Sequence, residues 1–284
     1  MYWPFVVNVC LMLSMPLVLA VWLERRRQPG WGLFGAGALT FILSQVLHIP
    51  FNWLVQQRFQ LLPTDLQVTG NLLLVSLFLG LSAGLFEEIG RYLTYRYWVT
   101  DARTWGKGLM LGVGHGGIEA ILLGVLAGAN YVAMALLKQG KLLDRIPTEQ
   151  LPLVQQQIEQ VFSLPWYNIL LGALERAFAI CLHLALSLLV MQLFVRGQKR
   201  WLWAAVAWHA LLDAVAVFMS VRWNAYVTEL AIGILALLSV GIIFWLRTPE
   251  PVEPELEPLP PAISPLSLRE IDVTAESLEK SRYS

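Results

Sequence analysis

The stretch GNLLLVSLFLGLSAGLFEEIGR, Gly70 to Arg91, decides in which solvent this chain folds. Nothing ionisable occurs from Gly70 to Phe86, yet Glu87, Glu88 and Arg91 follow with no polar loop between. About twenty such residues, rising about 1.5 Å each, cross a hydrocarbon layer of about 30 Å. The three charges therefore belong to a membrane span. Apolar blocks of similar length recur along the chain, placing helices at about 3–23, 31–55, 71–95, 108–137, 165–195, 201–220 and 226–246. Composition agrees, with 57% hydrophobic and 14% charged residues and a mean hydropathy of +0.59. A soluble domain of this size could not cover so much apolar surface. The expected fold class is all-α: a polytopic bundle of about seven transmembrane helices, multi-pass in a bacterial plasma membrane.

Working outward, the loops sort by charge. Arg25, Arg26, Arg27, Arg91, Arg96, Arg103, Lys107, Arg196, Lys199, Arg200 and Arg247 fall on one side, against Arg58, Lys138, Lys141, Arg145 and Arg222 on the other. The positive-inside rule then predicts an N-out, C-in topology. Tryptophans near the predicted ends, such as Trp31, Trp98, Trp105 and Trp201, suit the interface. Residues 1–247 form the expected transmembrane domain, with its core at about 70–220. In an external segment at about 138–164, Leu151, Val154, Ile158, Val161 and Phe162 recur at helical spacing behind a capping candidate, Thr148. From 248 to 284 the chain is Pro- and Glu-rich, a composition too poor in apolar surface to offset ordering entropy, and a disordered cytoplasmic tail is expected. Zero net charge and the absence of a basic run exclude a nucleic-acid partner. Cys10 and Cys181 lie inside apolar blocks and read as small core residues.

An ionisable group at bilayer depth costs roughly 2.5–3.5 kcal/mol on insertion scales, so each needs a partner or a task. The third span carries Glu87, Glu88 and Arg91, the fourth His115 and Glu119, the fifth Glu175, Arg176 and His183, and the sixth His209 and Asp213. Glu87 and Arg91, His115 and Glu119, and His209 and Asp213 are each four apart and share a helix face. Counted from the predicted ends, Glu87, His115, His209 and His183 lie about 11 to 18 Å from the arginine-rich side. The expectation is one polar cavity opening toward the cytoplasm, walled by the third to sixth spans. His48 falls toward the opposite side and stays outside that site.

Imidazoles and carboxylates are the ligand set of a catalytic zinc with one open position, a further carboxylate serving as general base. The same groups serve a metal-free hydrolase in which a glutamate activates water and histidine stabilises the oxyanion. A transporter or metal-ion carrier could use the same cluster, but it needs a polar lane across the membrane, and residues 72–79 and 121–127 are apolar apart from Ser76. The Gly-x-Ser-x-Gly pattern at Gly80–Gly84 sits mid-span rather than on a strand-to-helix turn, which removes the serine-hydrolase reading.

Glu87-Glu88-Ile89-Gly90-Arg91 and Gly114-His115-Gly116-Gly117-Ile118-Glu119-Ala120, followed by Glu175 with His183 and by His209 to Asp213, resemble the YhfC family of intramembrane metalloproteases, grouped with the PrsW and CAAX-prenyl endopeptidase-like (CPBP) proteins. The resemblance implies an intramembrane endopeptidase acting on a membrane-anchored or transmembrane peptide. In it Glu87, Glu88 and Arg91 are the catalytic motif, His115, Glu119, His183 and His209 hold a Zn2+ ion or the oxyanion, and Asp213, Glu175 and Arg176 support them.

Overall fold

A computed structural model describes residues 2–247 and Glu279. Among the described residues there is no strand, and eight α-helices follow one another: α1 (Trp3–Arg27), α2 (Trp31–Trp53), α3 (Thr69–Leu93), α4 (Trp105–Lys138), α5 (Leu151–Ser163), α6 (Trp166–Arg196), α7 (Arg200–Arg222) and α8 (Ala225–Trp245). All but α5 are long and apolar enough to cross a membrane, which gives the seven expected spans. The tail expected over 248–284 lies outside the described residues apart from Glu279.

The helix ends follow local chemistry. After three arginines in the last turn of α1, which suit the negative end of its dipole, Gln28 turns left-handed (φ 46°) and Gly30 follows at φ 94°. Thr104 caps α4 by accepting from the Lys107 amide, and Asn224 caps α8 by accepting from the Val227 amide at 3.1 Å. Both α2 and α3 continue through a π-helical turn, Leu54–Arg58 and Thr94–Trp98. The third span therefore runs past the predicted boundary at 95, and its glutamates lie deeper than that boundary implies.

Packing centres on α4, which touches α1, α2 and α6, and on α6, which also meets α1, α7 and α8; α3 packs against α7 and α2. Lipid tails are as apolar as leucine, so helices associate where small residues let backbones meet. A methyl group added at Gly37 would fall 2.1 Å from the Leu111 carbonyl oxygen, and one at Gly114 would fall 2.1 Å from that of Phe34. The α2–α4 contact is thus backbone to backbone near the arginine-rich ends. The α3–α7 contact is similar, since a methyl at Gly80 would fall 2.3 Å from the Ala210 carbonyl.

Two local readings change. Thr148 does not cap α5; it opens a 3-10 turn (Thr148–Gln150), and α5 starts at Leu151, where Pro152 suits the first helical turn. The helix is amphipathic as expected: Ile158 is buried, and Phe162 lies against the rings of Tyr2, Phe5 and Tyr131 with the Lys138 ammonium 4.1 Å from its centroid. Cys10 faces outward rather than into the core, because α1 is an outer helix whose buried residues, such as Asn8, Met12 and Pro16, lie on another stripe.

Candidate active site

Four helices bring the sequence-selected residues together. Glu87 and Glu88 are neighbours on α3 but point to different partners, because successive helical residues are about 100° apart. Glu87 receives a hydrogen bond on Oε1 from Gln45 Nε2 of α2 (2.8 Å), and its Oε2 lies 3.0 Å from His115 Nε2 of α4. Glu88, with no exposed surface, is paired through both oxygens with the equally buried Arg91 guanidinium one turn on. Its Oε1 also bonds His209 Nδ1 of α7 at 2.8 Å. The i, i+4 pairing of Glu87 with Arg91 that the face pattern allows is not made; the i, i+3 pairing with Glu88 is.

Arg91 reaches on to α6, where its second nitrogen lies 3.1 Å from His183 Nδ1. A guanidinium only donates, so Nδ1 accepts and the His183 proton resides on Nε2, which donates to Glu119 Oε2 at 2.8 Å. Glu119 in turn accepts from Arg176 at 2.6 Å, and Arg176 also binds Glu175 at 2.5 Å. This chain ties α4 to α6 and supports His183 from behind. Asp213, expected to fix the His209 tautomer, stands 3.5 Å from His209 Nε2, the outer limit for such a bond, so Glu88 is the closer partner.

Three of these residues form a ligand-type cluster. Glu87, His115 and His183 are all buried, and each offers one ligand atom within 4.8 Å of the others. Ligand atoms around a tetrahedral zinc with bonds near 2.1 Å stand about 3.4 Å apart, so a small closure suffices. Two further observations fit a cation here. His115 Nδ1 is buried without a partner. The surrounding carboxylates, Glu87, Glu88, Glu119, Glu175 and Asp213, meet two guanidiniums, Arg91 and Arg176, and the imidazoles of His115, His183 and His209, an acidic donor set that suits a cation. Glu119 and His209, counted among the ligands by sequence, lie one hydrogen bond further out, while Glu87 joins the cluster itself.

A cavity of about 670 Å³ reaches the cluster, lined by Gln45, His48, Ala83, Glu87, Glu119 and Asp213 and by apolar residues of α2 and α4. Its rim, Ile42, Val46, Ile49, Leu122 and Leu126, is exposed on the lipid-facing surface. This cavity opens between α2 and α4 among apolar side chains. Toward the arginine-rich ends Tyr95, Leu111, Leu186, Val190 and Ala205 are fully buried, as are the polar Arg91, Ser187 and Gln192. Counted from the observed ends at Trp98, Trp105, Arg196 and Arg200, the cluster is about 14–20 Å deep, near the middle of the bilayer.

Sequence reasoning missed the contribution of α2. Gln45 bonds Glu87 directly, and His48, set aside as too far toward the other side, lies 3.3 Å from Gln45 through its Nδ1. The signal was the shared face of Gln45, His48 and Asn52 on an otherwise apolar span.

Fold and site together define a multi-pass membrane protein with a buried Glu/His/His cluster, compatible with metal binding, beside a lipid-facing cavity. The chain belongs to the YhfC intramembrane metalloprotease family, whose profile matches residues 11–232. It is similar to "Uncharacterized membrane protein YhfC" of Bacillus subtilis (strain 168), with 32% identity over 239 residues covering 82% of this chain and 90% of that protein. No solved structure matches the chain. With its seven spans, it is a multi-pass bacterial membrane protein. The family expected from the Glu-Glu-x-x-Arg and Gly-His-Gly-Gly-x-Glu-Ala motifs is the family found, and the match extends well beyond residues 70–220.

Proposed function

We propose that the protein is an intramembrane endopeptidase that hydrolyses a peptide bond of a membrane-anchored or transmembrane substrate with a water activated through Glu87. The observation that carries this reading is the placement of Glu87, one member of the buried Glu87–His115–His183 cluster, on the wall of a cavity that opens among lipid-facing side chains. Of the two adjacent glutamates Glu87 alone lines the cavity, Glu88 being held by Arg91 and His209. Glu87, His115 and, once Arg91 gives up its contact with Nδ1, His183 would hold a zinc ion, which when bound supplies Lewis acidity toward the scissile carbonyl and acidifies a bound water. The chain's own residues do the rest. Asp213, which lines the cavity beside His209, is placed to take the proton of the attacking water and pass it to the leaving amine, while the Glu119–Arg176 pair fixes the His183 ring. The cluster faces the cytoplasmic side only in the sense of the expected N-out, C-in topology; its opening is lateral.

The test compares membrane fractions of cells expressing the wild type or Glu87→Gln by mapping protein N-termini. New N-termini within or beside transmembrane segments are expected with the wild type alone, and identical sets would overturn the proposal. Purified wild type is expected to hold near-stoichiometric zinc, absent from His115→Ala and His183→Ala.

A further inference from the structure

The face of α2 turned toward α3 carries a hydrogen-bonded chain that the reaction proposed above does not use. Asn52 Nδ2 lies 2.9 Å from His48 Nε2, with Ser82 Oγ 3.1 Å from the same nitrogen. His48 Nδ1 lies 3.3 Å from Gln45 Oε1, and Gln45 Nε2 donates to Glu87 Oε1 at 2.8 Å. The imidazole is buried and stacked on Phe86, with ring centroids 5.4 Å apart at 28°. Its plane is thereby held, and only the position of its proton is left to choose.

The polarity of the chain follows from what each group can do. With its amide nitrogen toward the ring, Asn52 makes His48 Nε2 an acceptor and places the imidazole proton on Nδ1; Ser82 Oγ, which also lies 3.0 Å from the Leu79 carbonyl, then turns its hydroxyl proton to the ring. Nδ1–H then donates to Gln45 Oε1, which turns the carboxamide nitrogen toward Glu87. Every link points the same way and ends on the carboxylate, leaving Oε2 for His115. The opposite polarity would require both amides reversed, pairing Asn52 Oδ1 with a protonated His48 Nε2, and a proton on Glu87; in the present arrangement Asn52 Oδ1 is buried without a partner.

We infer that Asn52, His48 and Gln45 are positioning residues that hold the Glu87 carboxyl with its Oε2 aimed into the cluster. The inference rests on the role given to Glu87 above, and its test is separable from that role. In detergent-solubilised protein labelled with 15N-histidine, the His48 signals, assigned by their loss in His48→Gln, are expected to show a protonated Nδ1 and a bare Nε2. A proton on Nε2 instead would overturn the relay. Gln45→Met keeps the side chain's length but not its donor, and zinc titration of this variant is expected to show affinity 10–100-fold below wild type, the range typical of groups that orient a ligand from behind. Unchanged affinity in the variant would also overturn the relay. A wild type that binds no zinc would sink the metal reading of the previous section, and the tautomer measurement then decides the relay alone, as it does if Gln45→Met fails to fold.

Discussion

Arg91 illustrates what one residue does in this core. Fully buried, it neutralises Glu88 and fixes the His183 tautomer, so its loss exposes two groups at once. Arg91→Met is expected to destabilise the protein by about 3–5 kcal/mol, because removing one partner of a buried pair strands the other charge. The double variant Glu88→Gln/Arg91→Met should recover a good part of that loss. Thermal unfolding in detergent checks both, and additive losses in the double variant would show that the pair is not coupled. At this scale the identity of the charged residues was legible in the sequence, since nothing but a task explains ionisable groups in apolar spans. Their pairing was not. Residues i+3 and i+4 share a helix face, so spacing alone does not choose between Glu87 and Glu88 for Arg91. His48 was lost because linear depth along one helix says nothing about which neighbour lies beside it.

At the scale of elements, the α2–α4 contact depends on the missing side chains of Gly37 and Gly114. Gly37→Ala and Gly114→Ala place a methyl into backbone, not into a yielding side chain, and each is expected to lower stability by at least about 1–3 kcal/mol. Gly35→Ala is the control. That position is exposed with open space around it, and alanine there gains up to about 1 kcal/mol of helix propensity. A thermal shift series that ranked all three alike would refute the backbone contact. The seven spans were legible to within a few residues, because length and hydropathy are local properties. The π-helical turns after α2 and α3 were not, since the sequence carries no local signal for the wider turn; the one after α3, with the earlier start of α4 at Trp105, places Glu87 and His115 about 4 Å deeper than the sequence count.

For the whole molecule, fold class and family were readable from hydropathy and two motifs, whereas the direction in which the cavity opens depends on how α2 and α4 diverge beyond their glycine contact. If substrate reaches Glu87 between those helices, bulk at the rim should block it. Val46→Trp and Leu126→Trp, at positions 61% and 63% exposed, are expected to suppress formation of the wild-type N-termini by tenfold or more while leaving zinc content intact. Full processing by the double variant would move the route of access elsewhere.

The apolar rim of the lateral cavity has an electrical meaning as well. A cluster of carboxylates and imidazoles within the bilayer is the raw material of a proton wire, and in an energised membrane each elementary charge crossing is worth about 2.3 kcal/mol per 100 mV. Side chains such as Val46, Ile49 and Leu126 offer a proton no acceptor, so a mouth built from them suits an apolar segment arriving from the lipid and not an ion current.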